Sequence, residues 1–412
     1  MQIDTGATAW VLVSAALVLF MTPGLAFFYG GMVRAKNVLG MLMQNFFAMG
    51  LISVIWAAVG FSLAFGGHNG LIGSLDFTFL KGLVHGQLPG YTGDFALAVP
   101  PLAFCAYQMM FAVITPALIT GATADRLKFG SYALFIGIWG VVVYPVVAHW
   151  VFSPVGWLFR RGALDFAGGA VVHINAGAAA LALVLLLGKR RGWPREAMPP
   201  HNLPFTMLGT GILWFGWFGF NAGSALAANG LAAQALINTH LAAAAAMLGW
   251  LVIEKIHAGH ATTLGAASGA VAGLVAITPC AGFVGGVAPI LIGLAAGVVC
   301  YLCLRLKTRF GFDDSLDVIA VHLVGGILGS LLLGLFADTA VNPLGADGLF
   351  FGGGAALLID QLVAVVAVFG FSFALSWAIG FAIDTTIGLR VDTEDEMVGL
   401  DQSQHAENAY QY

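Results

Sequence analysis

The chain is built from runs of about twenty apolar residues, one after another, with almost nothing charged inside them. They lie near residues 9–31, 38–66, 97–123, 130–152, 167–188, 203–225, 230–253, 262–281, 284–304, 316–337 and 351–386. A bilayer core takes roughly 20 apolar residues per helix, and helices satisfy their own backbone polar groups in lipid. The pattern predicts an all-α polytopic membrane protein with eleven transmembrane helices. The division near residue 282, between the eighth and ninth runs, is the least marked.

Composition narrows the partners. Only 9% of the 412 residues are charged and 59% are hydrophobic, where soluble domains run at about 25% charged. Mean hydropathy is +0.92. Sixteen Lys and Arg against twenty Asp and Glu give no basic field, which excludes nucleic acid as a partner and leaves membrane lipid as the solvent of most of the surface. The opening "MQIDTGATAW" lacks a basic n-region, so the first run is expected to be retained as a span. All four cysteines fall in apolar stretches, and "CYLC" at 300–303 sits in no redox-type βαβ context, so they read as small buried hydrophobes.

Basic residues set the orientation. With the N-terminus outside and the C-terminus inside, thirteen of the sixteen fall in cytoplasmic segments: Arg34, Lys36, Arg126, Lys128, Lys189, Arg190, Arg191, Arg195, Lys255, Arg305, Lys307, Arg309 and Arg390. Only Lys81, Arg160 and Arg161 remain outside.

Two segments of the fifth and tenth spans then stand out. In "LDFAGGAVVHINAG" (164–177) Asp165 precedes His173 by eight residues, and in "DSLDVIAVHLVGG" (314–326) Asp314 precedes His322 by eight. Each histidine follows a valine, and Gly177 matches Gly326 at the same offset. Two five-helix halves in sequence insert with opposite polarity, so the match predicts two inverted five-helix repeats plus a long final helix, with a site near the midplane. An ionisable side chain deep in a bilayer is costly, and a repeat-related pair is a functional candidate; the alternative is a pair of core histidines that glue helices. Metal binding needs three or four ligands, and neither histidine has a His, Cys, Asp or Glu three or four residues away, so neither a metal site nor a cofactor is expected. His149 and His240 have no matching partners and read as packing or interfacial residues.

These residues carry a family resemblance. "MTPGLAFFYGGMVRAKNVLGMLMQNF" (21–46), "LDFAGGAVVHINAG", "WFGFNAGSALAANG" (217–230), "LGAASGAVAGLVAITPCAGF" (264–283) and "DDSLDVIAVH" (313–322) resemble, in order, signatures of the ammonium transporter (Amt/Mep/Rh) family, on its Amt branch. The resemblance implies a homotrimer with one narrow pore per protomer, in the cell membrane. It implies that His173 and His322 are paired pore histidines, that Phe111 and Phe220 are stacked gates, and that Leu25, Leu213 and Val318 line the lumen. Ser224, Phe152, Phe111, Asp165 and Tyr107 would form the outer ammonium vestibule. One departure matters. The family carries a tryptophan three residues after the histidine of an A-H-W-V-W-like stretch, and "VAHWVFSPVGW" has Phe152 there, with Trp150 two residues away and so pointing elsewhere on a helix. A phenyl face attracts a cation less than indole does. Tyr107 also stands where phenylalanine is common.

The chemistry implied is selective transport. An aromatic face and a hydroxyl dock ammonium, proton loss removes the cost of carrying charge past apolar residues, and ammonia crosses beside the histidine edges. Asp165 is expected to hold backbone in place rather than touch the ion. Net electrogenic transport is favoured over a neutral gas channel, and substrate breadth, including methylammonium, is open. The protein is not expected to be an enzyme. Residues 1–390 form the transmembrane domain. Residues 391–412, "VDTEDEMVGLDQSQHAENAYQY", are acidic and read as a solvated tail by charge. By resemblance they are a cytoplasmic regulatory tail touching neighbouring protomers and a PII-type signal protein. An ammonium sensor signalling through this tail is the alternative, and a membrane metalloenzyme is a third class.

Overall fold

The computed structural model describes residues 3–84 and 86–411, and among these the chain is helical with no β-strand. Among the described residues, ten helices are long and apolar enough to cross a membrane. They are α1 (Thr5–Met32), α2 (Ala35–Phe65), α3 (Pro101–Thr123), α4 (Phe129–Arg161), α5 (Gly169–Leu187), α6 (Leu203–Ala225), α7 (Gly230–Ala258), α9 (Ala288–Phe310), α10 (Ile319–Phe336) and α11 (Ala356–Thr386). The expected eighth crossing is α8 (Thr263–Ile277), a shorter apolar helix. It stops well before residue 281 because "TPCAGFVGG" follows: Pro279 offers no N–H, and Gly286 takes a left-handed turn at φ +59°.

Local chemistry sets the other boundaries. Asp4 caps α1, its carboxylate accepting from Ala7 N at 2.6 Å, and Asn202 and Asn229 cap α6 and α7 in the same way. The α3 helix opens on Pro101, where a missing N–H costs nothing. The α4 helix is broken at Val143, ahead of Pro145.

Helices at equivalent positions in the two halves meet each other. The α1 helix packs along α6, and α5 packs against α10. This is the contact an internal two-fold produces at its axis. The α5 helix is buried along nearly its whole length, and α11 lies across it with its other side exposed.

At one end of the bundle a buried charge cluster joins the helix ends. Arg190, just after α5, pairs with Asp313 at 2.9 Å and with Asp125 at 3.5 Å, and Asp125 also pairs with Arg34 at 3.0 Å. Arg126 donates to the Ser315 hydroxyl at 2.7 Å and the Asp313 carbonyl at 2.5 Å. Burial alone would raise the Asp313 carboxyl, but hydrogen bonds and charge from Arg190 outweigh it and hold the group below the usual carboxylate range.

The C-terminal segment departs from the solvated tail that its charge suggests. Its two short helices, α12 (Thr393–Val398) and α13 (Leu400–His405), pack back onto the same end of the bundle. Glu396 is buried, accepting from Arg390 and from Arg191 N, both at 2.6 Å. Asp401 accepts from Gly40 N at 2.8 Å, Leu400 N donates to Asn37 at 2.8 Å, and His201 Nε2 lies 2.9 Å from the Tyr410 hydroxyl.

Candidate functional site

The eight-residue Asp-to-His spacing has a structural reason at both ends of the molecule. Both oxygens of Asp165 are occupied by the amides that open α5: Gly168 N at 2.8 Å, Gly169 N at 2.6 Å, Ala170 N at 2.8 Å and Val171 N at 3.2 Å. Asp314 does the same for α10, accepting from Val318 N at 3.1 Å and Ile319 N at 2.7 Å. Each carboxylate satisfies amides that a helix start leaves without a partner, so it fixes the helix that carries the histidine. Asp165 lines a wide cavity beside the N-terminal half of α3, whereas the neighbour of Asp314, Ser315, bonds Ala122 at the C-terminal end of α3. The two caps therefore act from opposite ends of the bundle.

Each histidine sits in a π-helical turn, Gly169–Ile174 in α5 and Ile319–Val324 in α10. Such turns recur at functional sites because the extra residue redirects one side chain. The glycines four residues on let the helices cross closely. A Cβ on Gly177 would stand 2.6 Å from Leu323 Cβ, and one on Gly326 would stand 3.1 Å from His173 Cβ. As a result His173 and His322 meet with their Nδ1 atoms 3.3 Å apart and ring planes at 24°. A shared proton between two Nδ1 atoms makes one ring the donor and the other the acceptor, so their Nε2 atoms have opposite character. His173 Nε2 is buried with no protein partner.

The pair faces a narrow enclosed cavity of about 10 Å³, lined by Leu25, Ile114, Leu213, Trp217, Phe220 and both histidines among others. That volume holds about one water-sized molecule. Leu25 and Leu213 are thus brought to the histidines. Val318 is buried but stands elsewhere, beside Gly121 with its Cγ2 2.8 Å from where a Cβ there would lie. The sequence reading missed Trp217, which stacks on His173 at 5.4 Å and donates to Thr278 Oγ1 at 2.9 Å. An indole three residues ahead of Phe220 was its only signal.

On the other side of Phe220 lies the wide cavity, about 450 Å³, bordered by Tyr107, Phe111, Phe152, Asp165 and Ser224. Phe111 and Phe220 separate the two spaces, with ring centroids 4.4 Å apart and both side chains buried, so the path between them is shut. Phe152 borders this vestibule; Trp150 turns away, donating to Leu71 O at 2.6 Å and packing on Phe371 at 4.7 Å. The Tyr107 hydroxyl lies 2.9 Å from Gly219 O, 2.8 Å from Phe220 O and 3.0 Å from Ser224 Oγ, and Ser224 Oγ lies 2.9 Å from Phe220 O. Two hydroxyl protons face two backbone carbonyls, which leaves the Ser224 oxygen with a lone pair for a donor in the vestibule. His149 is buried with a backbone carbonyl at each ring nitrogen, and His240 is exposed against Trp214 and Phe218.

Comparison with known proteins identifies the family. The model of the ammonium transporter family matches residues 9–410. An ammonium transporter of Mycobacterium tuberculosis is 51% identical over 99% of this chain and 91% of its own length. The crystal structure of Candida albicans Mep2 matches with a TM-score of 0.89 at 35% identity, covering 99% of this chain and 91% of that one. A solved sensor Amt protein matches with a TM-score of 0.88 at 30% identity, over 97% of this chain and 98% of its own. By sequence and by fold, the chain belongs to the ammonium transporter family and is a multi-pass protein of the cell membrane.

Proposed function

We propose that the protein carries ammonium selectively across the membrane by docking the ion, removing its proton and conducting ammonia. One observation supports this most: a polar-edged vestibule ends on two abutting phenylalanines, tilted 46° to each other, and directly behind them a cavity for a single small molecule is walled by aliphatic side chains and a histidine pair. An intact cation crossing such walls costs between about 3 and 10 kcal/mol or more. Proton loss removes most of that cost. Ammonia then accepts from one Nε2 and donates to the other. Potassium has no proton to lose and stays outside.

Each vestibule residue has a defined part in this scheme. The Ser224 oxygen accepts an N–H, and the Phe111 and Phe152 faces attract the charge, each contact worth about 1 kcal/mol. The Asp165 carboxylate, filled by four amides, acts through the helix it holds. The proton crosses as well, so that net transport is electrogenic. The chain works as a homotrimer of eleven-crossing protomers, N-terminus outside and C-terminus inside. Residues 391–412 form its regulatory tail, a contact for neighbouring protomers and for a PII-type signal protein. The docking of Glu396 and Asp401 at the helix ends also suits a sensor, in which ion binding shifts the tail with little flux.

The test is a rapid ammonium chloride jump over proteoliposomes holding the full protein, with potassium chloride as control. A sustained current with ammonium and none with potassium is expected. Equal currents would end the selectivity claim. Absence of current with intact ammonium binding would leave the sensor.

A further inference from the structure

We propose that Gln108 is a second ammonium ligand, deeper than Ser224, that holds the ion at the vestibule floor where its proton leaves. The inference rests on the transport reading above and adds a binding residue to it.

It starts from α3. Residues 104, 107, 108 and 111 lie within two turns at spacings of three and four, which on a helix share one face. In the structure that face is Phe104, Tyr107, Gln108 and Phe111, and all four border the vestibule. Three are aromatic; the fourth is an amide. Gln108 is 8% exposed, and its Oε1 is buried with no hydrogen-bond partner. A buried amide without partners costs about 1–3 kcal/mol, so polar side chains at such positions normally find a bond. The neighbouring polar groups are already committed. The Tyr107 hydroxyl is turned to Gly219, Phe220 and Ser224, and the Asp165 carboxylate to four amides of α5. The Gln108 side chain lies on the cavity wall, so a half-turn of its amide gives the shielded oxygen a guest in the cavity as its partner.

Its chemistry fits the guest in both protonation states. An amide oxygen accepts from an ammonium N–H, and an amide N–H donates to the lone pair of ammonia. A half-turn about the Cγ–Cδ bond exchanges the two ends. Being neutral, the amide binds the ion without trapping it, which a carboxylate beside Phe111 would do. Potassium, with no hydrogen to donate and no lone pair to accept, gains only ion–dipole attraction to the amide oxygen.

The experiment measures initial current against ammonium chloride concentration in proteoliposomes for wild type, Gln108→Leu and Gln108→Glu. Thermal stabilisation of the purified full-length proteins by ammonium chloride, relative to potassium chloride, is measured alongside. Loss of one hydrogen bond predicts that Gln108→Leu raises KM about fivefold while the maximum current changes less. Gln108→Glu lowers KM and lowers the maximum current, because the ion is held too well. A structural role would lower the maximum in both variants and leave KM alone; that result, or a wild-type KM in Gln108→Leu, overturns the proposal. Should wild type carry no current, the transport reading fails separately, and the stabilisation decides for Gln108. A shift weakened by Gln108→Leu upholds the site, and an unchanged shift removes it.

Discussion

Asp165 and Asp314 show what a single carboxylate does when it is placed at a helix start inside a membrane protein. The spacing to the histidine is legible in the sequence; its purpose is not, since it depends on which amides the turn before the helix leaves open. Asp165 accepts from four amides and Asp314 from two. A buried donor without an acceptor costs about 1–3 kcal/mol. Asp165→Ala is therefore expected to destabilise by about 3 kcal/mol or more, and Asp314→Ala by about half of that, with Asp165→Asn between wild type and Asp165→Ala because one oxygen remains. Thermal unfolding in detergent checks the order. Equal losses for all three would mean that capping is not what these groups do. The same scale explains what was missed. Trp217 opens the "WFGFNAG" signature and Gln108 lies between Tyr107 and Phe111, but only packing reveals that Gln108 Oε1 lacks a bond and that Trp217 stacks on His173.

Helices α5 and α10 meet closely because glycine stands where they cross. Gly177 faces Leu323 so tightly that a methyl group would lie 2.7 Å from the Leu323 Cα, whereas at Gly326 the nearest atom lies 3.0 Å away. Gly177→Ala is expected to force the helices apart at a cost of about 2 kcal/mol and to abolish most of the ammonium current, because the histidine contact opens. Gly326→Ala does less of both. Currents and melting temperatures that are equal for the two variants would contradict the packing argument. Most element positions were readable from hydropathy alone, since lipid demands long apolar helices. Two features were not. The π-helical turns at the histidines have no compositional mark, and α8 is shorter than its apolar run because Pro279 ends the helix while the following residues stay hydrophobic.

At the scale of the whole molecule, charges that look solvated in sequence turn out to be tied to partners far along the chain. Glu396 accepts from the Arg191 amide and Asp313 pairs with Arg190, each across more than a hundred residues, which no local pattern encodes. Removing one partner of a buried pair costs about 3 kcal/mol or more, so Asp313→Asn should lower the melting temperature by that equivalent. The Asp313 carboxyl is held below its usual range, so its contribution is fully present above the unfolded value of about 3.9 and is lost only as pH falls through the lower folded value. The cost of Asp313→Asn should then be the same at pH 6 and pH 8; a change between them would place another titrating group in the cluster. The two halves, meeting through α1 with α6 and α5 with α10, put the histidine pair behind the wide cavity, and the charge cluster ties helix ends together elsewhere in the bundle. The claim built on that architecture is that an ion enters, ammonia crosses and charge still moves. It is tested most directly by counting the net charge moved per ammonium accumulated in the same proteoliposomes. One positive charge per ammonium is the predicted result, and accumulation with no net charge would contradict it.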